Sequence, residues 1–104
     1  MVVGISRVDI FFPENHSLKD KRQILRKVIE KTRAKFNISM IEVDQSNLWQ
    51  RARIGFTVSG VRQDHVSKVI ENVHEYMESL YLGEIINTSS EIIRSENERG
   101  PENG

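Results

Sequence analysis

Hydrophobic residues recur along the chain with two different periods, which divide it into six elements. Alternation of apolar and polar residues predicts a strand with one buried face, whereas apolar residues spaced three or four positions apart predict an amphipathic helix. The alternating segments predict strands over residues 2–12, 38–43, 52–59 and 84–93. The helical spacing predicts one helix between Ser17 and Asn37 and a second between Asp64 and Gly83.

Both predicted helices carry end signals. Ser17 is predicted to be the N-cap of the first helix, and Asp20 three residues later completes a variant of the capping box. Asn37 tolerates the left-handed conformation and is predicted to stop that helix. Asp64 is predicted as the N-cap of the second helix, which Gly83 closes.

The order of these elements predicts an α+β fold of the ferredoxin-like type, β-α-β-β-α-β. Because short crossovers are right-handed, both helices are expected on one face of a four-stranded antiparallel sheet. A single domain is predicted over residues 1–94. The segment 95–104, "SENERGPENG", has no apolar residue and is predicted to be a disordered polar tail.

The face of the sheet without helices is predicted to expose apolar side chains. In this interpretation the face carries Val3, Ile5, Ile38 and Met40. An exposed apolar patch usually marks a partner, and homodimerisation through this face is the leading interpretation. Apolar surface that is merely scattered is the alternative.

Composition limits the classes of protein that this chain can represent. Its 104 residues make one domain, and the absence of cysteine excludes disulfides, thiolate metal ligands and thiol nucleophiles. Charged residues appear too early for a signal peptide, and no apolar run approaches the ~20 residues of a membrane span. A cytoplasmic protein with no role in the membrane is therefore expected.

The net charge of zero hides a strong polarity along the chain. Residues 16–35 carry eight Lys or Arg against two acidic residues, whereas residues 71–104 carry eight Glu against two Arg. On a helical wheel, four of the basic residues form one stripe beside the buried face of the first helix, which we call the basic ridge: Lys19, Arg22, Arg26 and Arg33. A solubilising helix would more often intersperse acids, so the ridge predicts an anion site. A solvated basic face is the alternative.

Two segments of the chain resemble a known family. "HSLKDKR", after the first strand, and "FNISMIEVDQSNLWQRA", before the third, are similar to the YlxP-like family of small uncharacterised bacterial proteins. The resemblance covers roughly residues 1–93. It implies a ferredoxin-like fold and a link to RNA or the ribosome, because family members are often encoded beside transcription and translation factors. It implies no established reaction.

Signals for catalysis or metal binding are weak. The residues His16, His65 and His74 are expected at the surface, and their spacing matches no metal motif, so no metal or cofactor is predicted. The loop after the first strand, "FPENHSL", lacks the glycine and arginine of an acylphosphatase cradle. Trp49, followed by Arg51, either covers an edge of the core or contacts a base or a partner.

These patterns predict a non-catalytic protein that binds RNA or the ribosome through phosphate contacts of the basic ridge. The alternative is a protein-interaction module, working as a homodimer through the open sheet face, with no nucleic-acid role.

Overall fold

The elements of the structure follow one another in the predicted order of strand, helix, strand, strand, helix and strand. The computed structural model describes residues 1–44 and 47–96, so the predicted tail lies outside the described residues from residue 97 onward. The elements are β1 (Val2–Phe11), α1 (Leu18–Lys35), β2 (Ser39–Asp44), β3 (Arg51–Gly60), α2 (Gln63–Ser79) and β4 (Glu84–Arg94).

The four strands form one antiparallel sheet in the order β2-β3-β1-β4. This order confirms the predicted ferredoxin-like fold. β4 contains a β-bulge: Asp9 and Ile10 of β1 pair with Asn87 and Ile85, so Ile86 has no partner on β1. β2 contains a second bulge, at which Val43 has no partner on β3. β2 and β4 are the edge strands, and β1 is central.

Both helices pack on one face of the sheet, as predicted, and the core lies between them and β1 and β3. Alternate residues of each central strand point inward, among them Val8, Ile10, Ile54 and Phe56. The helices contribute residues at the predicted helical spacing. Those that are buried are Lys21, Leu25, Val28 and Thr32 from α1, and Val66, Ile70, Val73 and Met77 from α2.

The helix ends agree with the sequence prediction at one of four positions. Asp20 N–H donates to Ser17 Oγ at 3.1 Å, and Asp20 Oδ2 accepts from His16 N–H, so the predicted N-cap of α1 is confirmed. The predicted left-handed stop at Asn37 is wrong, because α1 ends one residue earlier in extended backbone at Phe36.

The predicted ends of α2 also need correction. Arg62 is the N-cap, and Asp64 lies inside the first turn, where it pairs with Arg62. A carboxylate there faces the positive end of the helix dipole, which is a favourable position without being the cap. At the other end, α2 stops at Ser79, and Tyr81 adopts the left-handed conformation with φ of 54°. Gly83 is therefore not the residue that terminates the helix.

The predicted open face is wrong for two of its four residues. Met40 is 3 % exposed and belongs to the core, because its register partner is the inward-pointing Phe56. Ile38, two residues before it, also packs against the core. Ile41 and Val43 occupy the open side instead, with 61 % and 47 % of their surface exposed.

Val3 and Ile5 remain on the open face as predicted, both half-buried. Two ion pairs lie in the same layer of side chains, Arg53 with Asp9 at 2.7 Å and Arg7 with Glu91 at 3.4 Å. The hydrogen bond from the Arg53 guanidinium holds the pKa of Asp9 below its usual range. The centre of this face is therefore charged, and its apolar residues lie around the ion pairs.

Candidate functional site

A groove runs along α1 on the side that faces the edge strand β2. Its volume is about 530 Å³, and it is open to solvent. Its walls combine apolar stems with charged side chains. The residues that line it are Leu18, Lys21, Arg22, Leu25, Arg26, Ile29, Glu30, Arg33, Glu42 and Asn47.

The helical repeat places three arginines of the basic ridge in this groove. Arg22 and Arg26 are one turn apart and Arg33 follows two turns later, so their side chains leave α1 on the same side. From Arg22 to Arg33 the helix rises about 16 Å. This length corresponds to roughly five phosphates along a stacked single strand. All three side chains are exposed.

Lys19 is also exposed but does not line the groove. The structure therefore brings three of the four predicted ridge residues together and leaves the fourth outside.

The groove carries more positive than negative charge. Within residues 1–44 and 47–96, no ion pair involves Arg22, Arg26 or Arg33. Glu30 and Glu42 are the acidic residues of the lining, and the carboxylate of Glu42 lies 3.9 Å from the ammonium of Lys21. The guanidinium groups are therefore open to an anion.

Lys21 has a structural role that the sequence analysis missed. Its side chain is 3 % exposed, and its ammonium donates to the carbonyl oxygen of Leu48 at 2.9 Å. A signal was present in the sequence, since Lys21 lies on the apolar stripe between Leu18 and Leu25. A lysine on the buried stripe of a helix indicates a buried partner.

Residues 12–15 hold the segment that enters β3. The amide of Phe12 donates to the carbonyl of Gln50 at 2.8 Å, and Asn15 Nδ2 donates to the carbonyl of Trp49 at 3.3 Å. The side chain of Gln50 donates in turn to the carbonyl of Pro13. These contacts fix the backbone around Trp49 relative to the start of α1.

Trp49 is 48 % exposed and does not belong to the core. With Phe11, Leu48 and Arg51, its ring lines a shallow depression, and Asn47 lines both this depression and the groove. The two predicted contact residues, Trp49 and Arg51, therefore lie together, next to the end of the groove that holds Asn47.

A second polar cluster lies under α2. Ser6 Oγ is 2.8 Å from His74 Nε2, and the hydroxyl of Ser90 donates to Ser6 Oγ at 3.2 Å. His74 is half-buried, which corrects its predicted surface position, and burial lowers its pKa. Ser6 has no exposed surface. Its hydroxyl therefore serves as the hydrogen-bond partner of the His74 imidazole and cannot contact a dissolved ligand.

Two negative findings apply to the described part of the chain. No group of three or more His, Asp or Glu side chains there is placed to hold a metal ion. Neither α1 nor α2 is long and apolar enough to span a membrane.

Comparison with known proteins identifies relatives whose function is not described. Residues 3–90 match the family described as "protein of unknown function (DUF503)". The uncharacterized protein YlxP of Bacillus subtilis is 24 % identical over 78 residues, which cover 75 % of this chain and 85 % of that protein. The predicted resemblance to the YlxP-like family is thus confirmed.

Solved structures resemble the chain in outline. A de novo designed protein, Ferredog-Diesel, is 14 % identical and aligns over 88 % of this chain and 84 % of its own, with a TM-score of 0.42. An Arabidopsis thaliana protein is 12 % identical over 88 % of this chain and 94 % of its own, with a TM-score of 0.44.

Proposed function

The chain belongs to the DUF503 family of proteins of unknown function, and from the residues that line its groove we propose that it binds the phosphate backbone of RNA without catalysing a reaction. The groove beside α1 is the proposed site, and Arg22, Arg26 and Arg33 are its phosphate contacts. Lys19, exposed outside the groove lining, adds a peripheral contact. Ribosomal RNA in the cytoplasm is the proposed target.

The observation that carries this proposal is the alignment of three arginines along one groove wall, with no ion pair to them within the described residues. An arginine presents a planar fork of donors that matches two phosphate oxygens. Three such forks in a row suit a linear polyanion better than a single small anion.

The surroundings favour a single strand. Trp49 and Arg51 lie beside the groove, and an exposed aromatic ring offers a stacking surface to any unpaired base. A phosphate-directed site positions the nucleic acid without reading its sequence. The binding we propose is therefore nearly independent of base sequence.

A salt titration tests this proposal. Binding of a single-stranded fragment of ribosomal RNA is measured by fluorescence anisotropy from low to moderate salt, for the parent chain and for Arg22→Ala/Arg26→Ala. If each arginine neutralises one phosphate, the slope of log K against log salt falls in magnitude by about 1 to 2 in the double variant. Co-sedimentation with ribosomal subunits checks the target.

The matched control removes the same charge elsewhere on α1. Lys27 and Lys31 are exposed and lie in a different sector of the helix, so Lys27→Ala/Lys31→Ala lowers the net charge equally. This control is expected to keep the slope of the parent. If both double variants bind with the parent's affinity and slope, the ridge is a solvated face and the proposal fails.

A protein partner on the open sheet face is the second candidate function, with a second copy of the chain as its leading form. The exposed Ile41 and Val43 favour it, together with the half-buried Val3 and Ile5. Sedimentation equilibrium of the parent and of Ile41→Asp tests this candidate. A dimer that the substitution dissociates supports it, whereas a monomeric parent chain, or a dimer that Ile41→Asp leaves intact, excludes homodimerisation through this face.

A further inference from the structure

The outer edge of β4 is the longest unpaired backbone edge in the described part of the chain. β4 has eleven residues, and its five middle residues, 87–91, are all exposed. An edge strand of this kind is a template for another strand. β2, the other edge strand, has only six residues, and a short edge strand is a poorer template for pairing.

Neither proline nor lysine protects the edge of β4. The strand reads "EIINTSSEIIR", with isoleucine pairs near both ends and small polar residues between them. Reversing the direction of the strand nearly reproduces this pattern. A strand with that property complements a second copy of itself in the antiparallel direction.

We infer that two copies of this chain associate by antiparallel pairing of their β4 edges, with Ser89 of one copy opposite Ser89 of the other. The two sheets then join into one of eight strands. In this register Thr88 faces Ser90, and Asn87 faces Glu91. Hydroxyl pairs and an amide opposite a carboxylate are compatible neighbours across two strands. The pairing is symmetric, so it closes as a dimer and does not propagate.

The bulge in β4 improves the match of the isoleucines. Ile85 and Ile92 pack towards the helices, and the extra residue at position 86 brings Ile85 of one copy opposite Ile92 of the other. Ile86 and Ile93 are 49 % and 47 % exposed. Ile86 lines a depression on the open side, and Ile93 is paired with Val3 of that face. In the dimer these two isoleucines come side by side.

Other registers are less favourable, because a register is specified by which side chains it brings together. A shift of two residues in one direction places Ile92 opposite Thr88. The same shift in the other direction places Glu84 opposite Glu91, which are like charges. The interface buries little surface beyond one strand pair, so the dimer belongs to the small, transient class.

Cysteine cross-linking tests the inference, because the natural chain contains no cysteine. Directly opposite residues of antiparallel strands have Cα atoms about 4.5 to 5.5 Å apart, and a disulfide spans about 4.4 to 6.8 Å. The Ser89→Cys chain, oxidised mildly at high protein concentration, is expected to form a covalent dimer. Circular dichroism checks that the variant keeps the parent's fold.

Two control variants place the same thiol elsewhere. Ser39→Cys puts it on the exposed part of β2, and Thr57→Cys puts it on the open face. Both are expected to cross-link at least tenfold more slowly than Ser89→Cys. If Thr57→Cys is the fastest, the chain associates through its open face and the edge pairing is wrong. Equal rates for all three indicate random collision and also overturn it.

The register is tested by mixing two further variants. Thr88→Cys and Ser90→Cys chains are expected to cross-link with each other faster than either cross-links with itself. Faster self-linking of either variant overturns the pairing of Ser89 with Ser89. RNA binding does not enter these measurements, so their outcome is independent of the proposed function.

Discussion

The ammonium of Lys21 donates to the carbonyl of Leu48 across 2.9 Å, which ties α1 to the segment that enters β3. The same ammonium lies 3.9 Å from the carboxylate of Glu42 on β2. One buried lysine thus fixes the distance between the arginine wall of the groove and the strand opposite it.

Replacing Lys21 by methionine removes this donor and keeps most of the apolar stem. We expect Lys21→Met to lower the free energy of unfolding by about 1 to 3 kcal/mol, because acceptors that the lysine satisfied lose a charged donor. Urea denaturation measures the change. The exposed Lys19→Met is the control and should alter stability by less than about 0.5 kcal/mol. Equal effects of the two substitutions would contradict the structural role of Lys21.

Two glycines of the sheet should respond differently to alanine. A Cβ atom on Gly4 would lie 2.7 Å from both Ile70 Cδ1 and Val66 Cγ1, which belong to the buried face of α2. Overpacking of this kind typically costs about 1 to 3 kcal/mol. A Cβ atom on Gly55 would lie 2.5 Å from Val43 Cγ2, but Val43 is half-exposed and can rotate away.

We therefore expect Gly4→Ala to lower the thermal midpoint clearly and Gly55→Ala to change it little. Calorimetry of the two variants beside the parent measures both midpoints. A larger loss for Gly55→Ala than for Gly4→Ala would show that Val43 is held more firmly than its exposure indicates.

His74 should make stability depend on pH. Burial lowers the pKa of the folded imidazole, against a smaller opposing effect of Glu78. As pH falls below the ordinary histidine value of about 6.5, the unfolded chain takes up a proton that the folded chain resists. Stability therefore declines on acidification through this window and levels off below the folded pKa.

Urea denaturation between pH 7.5 and 5 is expected to show this decline in the parent and less of it in His74→Gln, whose amide can still bond to Ser6. His65→Gln, on an exposed residue of the same helix, should retain the parent's pH dependence. Asp9 does not interfere, because its lowered pKa affects stability below the ordinary aspartate value of 3.8. An unchanged slope in His74→Gln would assign the effect to another group.

Substitution of Trp49 distinguishes the contribution of base stacking from that of charge in the proposed RNA complex. Loss of one base-stacking aromatic typically costs about 1 to 3 kcal/mol of binding, so Trp49→Ala should weaken binding of single-stranded RNA. The salt slope should stay the same, because no charge is lost. Trp49→Phe, which keeps an aromatic face, should recover part of the affinity. If Trp49→Ala binds like the parent, the contact is confined to the groove.

The fold was predictable because both helices and the central strand β3 have a clear hydrophobic period. The capping pair of Ser17 and Asp20 predicts where α1 begins. The alternation of Ile54, Phe56 and Val58 predicts which side of β3 faces inward. In β2 the segment "ISMIEV" has apolar residues at both odd and even positions, so the alternation does not show which face of the strand is buried. The register with β3 decides it, and that register is a tertiary property.

The candidate site was predictable as a charge pattern and not as a cavity. Helical spacing alone brings Arg22, Arg26 and Arg33 to one side of α1. The opposite wall depends on how β2 approaches the helix, which involves the buried Lys21 and its contact with Leu48. His74 was misplaced for a similar reason, since its partner Ser6 lies 68 residues earlier in the chain.

The contact between the hydroxyls of Ser90 and Ser6 is one of the few side-chain contacts within the described residues that hold the middle of β4 to β1, and this affects local opening of the native fold. Ile85 and Ile92 attach β4 to the core, while the helix-facing residues between them are small and polar. Segments with few apolar contacts open locally at a lower free energy than the whole domain unfolds. We therefore expect β4 to detach from β1 at a lower free energy than the rest of the domain unfolds, so that its amide hydrogens exchange with solvent faster than those between β1 and β3.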